Sequence, residues 1–360
     1  MNKNDLVHYL LERGLLDYRA VVDGDVAVFE GVRRHRNYSV LRRDGPGLFV
    51  KQMQPDQAMS AQTLLKEAAC YALMESDPAL APIAAMMPRF RAYDPDRHIL
   101  VMELIGDGEN LTELHRRENQ FPLHVAQRVG IMLAGYHDVS ARELLPRANA
   151  MLFPGQPPWI LSFHLMPRGS VQNLSAANGQ FMEILQRYPD FGQSLDRIRA
   201  GWRRDVLIHG DMKFDNLVAR NGSGTMVVVD WELADVGDSA WDVASILQAY
   251  LTWWIATINP STPGETSAMY PLESIQPAVR AFWDAYAGAR RLGGPAADEE
   301  LVRAVSYAGA RMLQTVYESM AFAPALTPNA IWQVQACVNI LKEPRAATAD
   351  LLAIPAGVHV

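Results

Sequence analysis

The chain has 360 residues, 49% of them apolar, which is enough for two cooperating lobes, each with a core of its own. Its 33 Lys and Arg against 40 Asp and Glu leave a formal net charge of −7, so there is no excess of cations to neutralise nucleic-acid phosphates, and no nucleic-acid partner is expected. No apolar run approaches bilayer length, charges interrupt Met1 to Asp17 where a secretory leader would be apolar, and Cys70 and Cys337 read as reduced core thiols, so the expectation is a cytoplasmic protein without a membrane partner.

Leu6, Tyr9, Leu10 and Leu15 recur at helical spacing and predict a short amphipathic helix at the start. Strand-like segments follow at Ala27 to Phe29, Tyr38 to Arg42 and Leu48 to Gln52, the last two joined by the turn-forming Asp44-Gly45-Pro46-Gly47. Ala58 to Glu75 reads as a helix with Leu64, Leu65, Ala68 and Ala69 among its buried candidates. Two more strands, Arg89 to Tyr93 and Ile99 to Leu104, flank the turn Asp94-Pro95-Asp96. From Pro122 the pattern becomes mainly helical: Val125 to His137, Gly179 to Tyr188, Ala240 to Ile255, Pro277 to Ala289, Glu299 to Met320 and Asn329 to Leu341. One apolar hairpin of Val206 to Ile208, Leu217 to Ala219 and Met226 to Val229 interrupts these helices. The fold class is therefore α+β, with a small β-rich lobe over residues 1–104 and a larger, mainly helical lobe over 105–360.

The polar run His209-Gly210-Asp211-Met212-Lys213-Phe214-Asp215-Asn216 lies on a loop held at both ends by apolar strands, where catalytic groups tend to sit. Asp230-Trp231-Glu232 emerges from the next apolar strand. An Asp, an Asn five residues on and a second Asp beyond a hairpin are what phosphoryl transfer from a nucleotide requires. One carboxylate orients and deprotonates the attacking hydroxyl, while an amide oxygen and a second carboxylate hold magnesium on the phosphates. Asp211 is therefore expected to be the base, and Asn216 and Asp230 the metal ligands, with ATP and Mg2+ as cofactors. His124, His137 and His164 have no metal-ligand spacing and are expected to be capped or half-buried.

The constellation resembles the kinase pattern H-x-D-x-x-x-x-N followed by a strand-end Asp. More specifically, Val229-Asp230-Trp231-Glu232 with Gly237-Asp238-Ser239-Ala240-Trp241-Asp242-Val243-Ala244 is similar to the aminoglycoside phosphotransferase and choline kinase superfamily, Ser239 standing where proline is usual. The resemblance implies a two-lobed protein-kinase-like fold. It also implies that Asp242 bonds the backbone of the catalytic loop, that His209 braces it, that Lys51 grips nucleotide phosphates and that Glu67 pairs with Lys51, Glu75 being the alternative partner. Met102-Glu103-Leu104-Ile105 would connect the lobes, with Glu103 and Ile105 offering backbone groups to an adenine edge. Asn37, between the first two strands, would line the nucleotide site. No full G-x-G-x-x-G loop precedes it. Gly31 to Tyr38 holds one glycine with Arg33, Arg34 and Arg36, which either bind phosphate or form a solvated basic hairpin.

Lys213 stands two residues after the base, as in protein Ser/Thr kinases, where it would neutralise the transferred phosphoryl group. A weaker resemblance, carried by Arg33 to Tyr38, Gly47 to Gln52 and His209 to Asn216, is to the branch that phosphorylates Ser or Thr of precursor peptides in class V lanthipeptide and thioamitide biosynthesis, with a partner lyase eliminating the phosphate. The rival acceptors are an aminoglycoside, a sugar or an amino alcohol, and a third possibility is a nucleotide-binding pseudokinase. A polycationic acceptor would favour dense acids in the helical lobe, where only Asp298-Glu299-Glu300 is found. Trp253, Trp254, Trp283 and Tyr286 are expected to wall a longer peptide groove.

Overall fold

A computed structural model describes residues 1–32, 35–54, 58–147, 152–166, 175–188, 190–221, 224–258 and 269–355. The chain begins with α1 (Lys3–Glu12), α2 (Tyr18–Val22), β1 (Val26–Val32), β2 (Arg36–Arg42), β3 (Leu48–Gln52), α3 (Ala58–Ser76), α4 (Ala81–Ala84), β4 (Phe90–Asp94) and β5 (Ile99–Glu103). It continues through β6 (Gly108–Asn110), α5 (Leu111–Glu118), α6 (Leu123–His137), α7 (Ala141–Leu144), α8 (Ala176–Gln186), α9 (Phe191–Ala200), β7 (Val206–Ile208), β8 (Leu217–Arg220), β9 (Met226–Val228) and β10 (Asp235–Gly237). Four long helices, α10 (Ser239–Ala256), α11 (Leu272–Ala289), α12 (Pro295–Ser319) and α13 (Pro328–Lys342), and the short α14 (Pro344–Asp350) complete it. Two compact units result. The first gathers Met1–Leu114, Arg147–Leu152 and Asp215–Ala234, and the second His115–Pro146, Phe153–Phe214 and Asp235–Val360.

In the first unit five antiparallel strands run in the order β1-β2-β3-β5-β4. Side chains alternate between the faces of a strand, so Tyr38, Val40, Leu48, Val50, Ile99 and Val101 share one apolar face. Leu6, Tyr9 and Leu10 of α1, with Leu16 and Ala20, pack onto that face. An Asn2 and Asp5 capping box starts α1, satisfying two N–H groups that the first turn leaves without partners. The opposite face carries Lys51, whose register partners are Asn37 and Leu100. On α3 the buried positions Leu64, Glu67, Ala68, Tyr71 and Met74 recur three and four apart, so Glu67 sits on the inward stripe. Leu65, expected inside, is 53% exposed.

A second sheet of this unit has the order β6-β8-β9. The expected three-stranded hairpin is thus corrected. β8 and β9 pair, but β7 belongs to the other unit, where it pairs with β10 through Val206↔Gly237. β10 is three residues long and begins with an Asp, too short and too polar to announce itself as a strand. A Cβ at Gly237 would lie 2.4 Å from Ile208 Cδ1 and 2.8 Å from the Trp202 ring, so any larger residue there would force these side chains to shift.

The second unit is helical around α6, α10, α11 and α12. α6 and α11 approach so closely that a Cβ on Gly130 would stand 2.4 Å from the Phe282 carbonyl oxygen. Buried residues cover nearly all sides of α10, including Asp242 and Ser245. α11 begins at Leu272, so Pro277, expected at its start, lies inside the helix. Among the described residues no helix is long and apolar enough to cross a membrane.

Candidate active site

In the first unit β3 and α3 bring Lys51 to Glu67. Lys51 Nζ donates to Glu67 Oε1 and Oε2, both at 2.8 Å, and to Asp230 Oδ1 at 2.5 Å. Lys51 is 6% exposed and Glu67 fully buried. Burial disfavours the lysine's charge, but the two carboxylates outweigh it and hold the ammonium well above the ordinary lysine value. Burial pushes the Glu67 carboxyl up against the pull of Lys51. The expected lysine–glutamate pair is therefore present. Glu75 points elsewhere, accepting the Phe90 N–H at 2.6 Å.

Asp230 follows β9 with φ 71° and ψ 55°, a left-handed conformation that costs a non-glycine residue roughly 1–2 kcal/mol. Such strain collects at functional sites. Trp231 anchors the turn, fully buried, with its Nε1–H on the Val228 carbonyl at 2.9 Å. Asn216 is buried, and its carbonyl accepts the Val229 N–H at 3.0 Å, so the backbone ties it to the strand leading into Asp230. Asn37 of β2 is the register partner of Lys51 on β3, and among the described residues its buried Oδ1 has no hydrogen-bond partner.

The loop after β7 belongs to the second unit as far as Phe214. Asp242, in the first turn of α10, accepts the His209 N–H at 2.6 Å and the Gly210 N–H at 3.0 Å, with the Tyr136 hydroxyl donating to it at 3.0 Å. Burial would raise its carboxyl. The His137 imidazole, also hydrogen-bonded to Tyr286, and the loop N–H groups hold it below the usual range instead. His209 is fully buried and its Nδ1 accepts the Asp211 N–H at 3.3 Å, the bracing that was expected. The Trp241 Nε1–H donates to the Gly210 carbonyl at 3.0 Å.

Asp211 carries a cation on each oxygen: Lys213 Nζ on Oδ2 at 2.6 Å and Arg311 on Oδ1 at 3.2 Å. Burial would raise this carboxyl, but Arg311 and Lys213 outweigh it and keep it at about 2. Arg311, on α12, is the residue sequence reasoning missed. It stands 100 residues from its partner inside an apolar stretch, and only its burial within a helix hints at a purpose.

Other expectations fare differently. The Glu103 carboxylate is engaged by Arg220 at 2.6 Å and by the Arg89 N–H at 3.3 Å, while among the described residues the Ile105 N–H has no hydrogen-bond partner. Arg36 is committed to Glu30 at 3.2 Å and to the Met1 carbonyl at 3.1 Å, whereas Arg33 and Arg34 lie outside the described residues. Trp283 and Tyr286 are buried core of α11 rather than a groove wall. Glu300, from the one dense acidic run, is buried against Arg303 and the Ser239 hydroxyl. A cavity of about 650 Å³ lined by Trp254, Ile258, Trp332 and Leu351 holds none of the loop residues. Among the described residues no three His, Cys, Asp or Glu form a cation cage. Magnesium on a nucleotide does not need one, since one or two protein oxygens beside the phosphates suffice, and Asn216 with Asp230 fits that donor set.

The family model described as "Phosphotransferase enzyme family" matches residues 25–283. No curated protein matches the sequence. Among solved structures, an ethanolamine kinase of Plasmodium vivax is 14% identical with a TM-score of 0.59, covering 95% of this chain and 91% of its own. An amicoumacin kinase, solved with AMP-PNP, Ca2+ and Ami, is 13% identical with a TM-score of 0.54, covering 92% and 95%. A choline/ethanolamine kinase family protein of Mesorhizobium loti is 15% identical with a TM-score of 0.50, covering 88% of both chains. These likenesses show the two-lobed kinase-like fold.

Proposed function

We infer the reaction from one premise: this chain belongs to the phosphotransferase enzyme family and is an ATP-dependent phosphotransferase with an alcohol group as acceptor. The observation that carries the residue roles is the pair of charged clusters, Lys51 with Glu67 and Asp230 in one unit and Asp211 between Lys213 and Arg311 in the other. Lys51, held by Glu67, binds the α- and β-phosphates of ATP. Glu103 and Ile105 offer backbone groups to the adenine, and Asn37 lines the site beside Lys51. Asn216 and Asp230 would hold Mg2+, which when bound neutralises phosphate charge. Asp211 orients the acceptor hydroxyl and takes its proton, and Lys213 neutralises the transferred phosphoryl group. The same reading makes residues 1–104 the nucleotide-binding lobe and 105–360 the catalytic and acceptor-binding lobe. The buried, unpaired thiols Cys70 and Cys337 fit a reducing compartment, the cytoplasm. With every expected group present, a pseudokinase is disfavoured.

For the acceptor we propose the Ser or Thr hydroxyl of a precursor peptide of the lanthipeptide type, with a partner lyase acting on the phosphorylated product. Lys213, 2.6 Å from the base, supports this, and Glu300, the buried member of the Asp298-Glu299-Glu300 run, is tied to Arg303 and Ser239 rather than offered to a polycationic aminoglycoside. A small amino alcohol is the second reading. It is favoured by the rings of His115, Tyr250 and Trp253 packed around Phe214, three residues beyond the base, with Phe121 against Tyr250 and Trp253, since aromatic faces attract cations. The test incubates enzyme, ATP and Mg2+ with a co-encoded precursor peptide or with a panel of aminoglycosides, choline and ethanolamine, and follows the mass gain of one phosphate. Gain on the peptide supports the first reading. Gain on a small alcohol alone overturns it in favour of the second.

A further inference from the structure

We propose that Arg311 is the positioning residue of the base: it locks Asp211 through Oδ1 so that Oδ2 is the oxygen that receives the acceptor's proton. This rests on the reading of Asp211 as base. Two donors of one guanidinium bridge the loop, NH2 to Asp211 Oδ1 and NH1 to the Gly210 carbonyl, both at 3.2 Å. A planar fork with two fixed bonds sets both the position and the plane of what it holds. Arg311 is also immobilised from behind. It is 5% exposed, its guanidinium carbon lies 5.0 Å from the Trp241 ring centre, and Trp241 itself donates to the Gly210 carbonyl. Arg311, Trp241 and Gly210 therefore form one closed contact under the base.

The two cations on Asp211 differ in freedom. The Lys213 side chain is 44% exposed on a flexible stem, whereas that of Arg311 is 6% exposed. Lys213 can leave Oδ2 for the phosphoryl oxygens, and Arg311 cannot leave Oδ1. The transfer then balances. The acceptor O–H bond breaks and its proton goes to Oδ2. The freed oxygen pair forms the bond to the γ-phosphorus, and the bond from that phosphorus to the β–γ bridging oxygen breaks with its pair departing on ADP. Besides Arg311 and Lys213, the titratable groups facing this carboxylate include His209 on its own loop, while Asp242 of α10 holds the loop backbone.

The test uses ATP hydrolysis by the full chain with Mg2+, water standing in for the acceptor, and compares Arg311→Lys, Arg311→Met and Asp211→Asn. Arg311→Met removes one of two cations, so its kcat falls roughly 100-fold and the acid limb of its pH profile moves to higher pH. Arg311→Lys keeps the charge and loses the fork, so the limb stays while kcat falls. AMP-PNP affinity stays within about threefold in both variants, because nucleotide binding is assigned to the other cluster. A purely structural role would instead lower thermal stability and active fraction with the limb unmoved in Arg311→Met, and that result, or a near-normal kcat, overturns the inference. If Asp211→Asn retains turnover, it is the reading of the base that fails.

Discussion

Lys51 and Glu67 are the residues whose energetics are most tightly joined. A buried ammonium and a buried carboxylate each carry a desolvation cost that only the partner offsets, so removing one leaves the other uncompensated at about 3–5 kcal/mol. Lys51→Met and Glu67→Leu should each destabilise by about that much. The double variant should cost less than the sum, the remaining imbalance being Asp230, which also bonds Lys51. Urea unfolding of the four proteins checks this, and strict additivity would show that the pair does not act as a unit. Asp211 is held ionised by its two cations. Its carboxyl sits at about 2, below its unfolded value of about 3.9, so its contribution to stability is present above about pH 4 and is lost as pH falls toward 2. The carboxyl carbon resonance missing from an Asp211→Asn spectrum should therefore not titrate between pH 7 and about 4. A midpoint near 4 or above would mean that the two cations do not hold it.

At the level of elements, the loop after β7 is held in shape by α10. Asp242 accepts two loop N–H groups and the Tyr136 hydroxyl, and a buried donor left without its acceptor costs about 1–3 kcal/mol. Asp242→Ala should therefore destabilise the protein by several kcal/mol and abolish turnover. Asp242→Asn, which keeps the shape but offers one acceptor oxygen, should retain most of the stability with turnover still sharply reduced. Thermal melts alongside ATPase assays distinguish the two, and normal turnover in Asp242→Asn would refute the support role. These elements were unevenly legible in the sequence. The strands around Lys51 could be read from short apolar runs bounded by turn residues, and the helix bearing Glu67 from helical spacing, because α3 buries one stripe. α10 was legible for the opposite reason, being apolar on nearly every side. β6 and β10, three residues each, carry too little period to register, so β7 was assigned the wrong partner. Arg311 was invisible because its meaning comes from a contact across 100 residues, which no local pattern encodes.

For the whole molecule, the charged clusters make a thermodynamic and a chemical prediction. A ligand that binds only the folded state stabilises it by about 2.7 kcal/mol at 100 times its Kd, so Mg2+ with AMP-PNP should raise the melting temperature by several degrees. Asp230→Ala should lose most of that rise while keeping its fold, and an unchanged shift would remove Asp230 from the magnesium site. The central claim, that Asp211 is the base of an ATP-dependent phosphotransferase, is tested most directly by following γ-phosphate release from ATP with Mg2+ for the wild type and Asp211→Asn, with AMP-PNP affinity measured on the same preparations. General-base catalysis contributes about 10²–10⁴-fold, so the variant should bind nucleotide like the wild type and turn over at least 100 times more slowly. Turnover within tenfold of the wild type, at equal nucleotide affinity, would contradict the account.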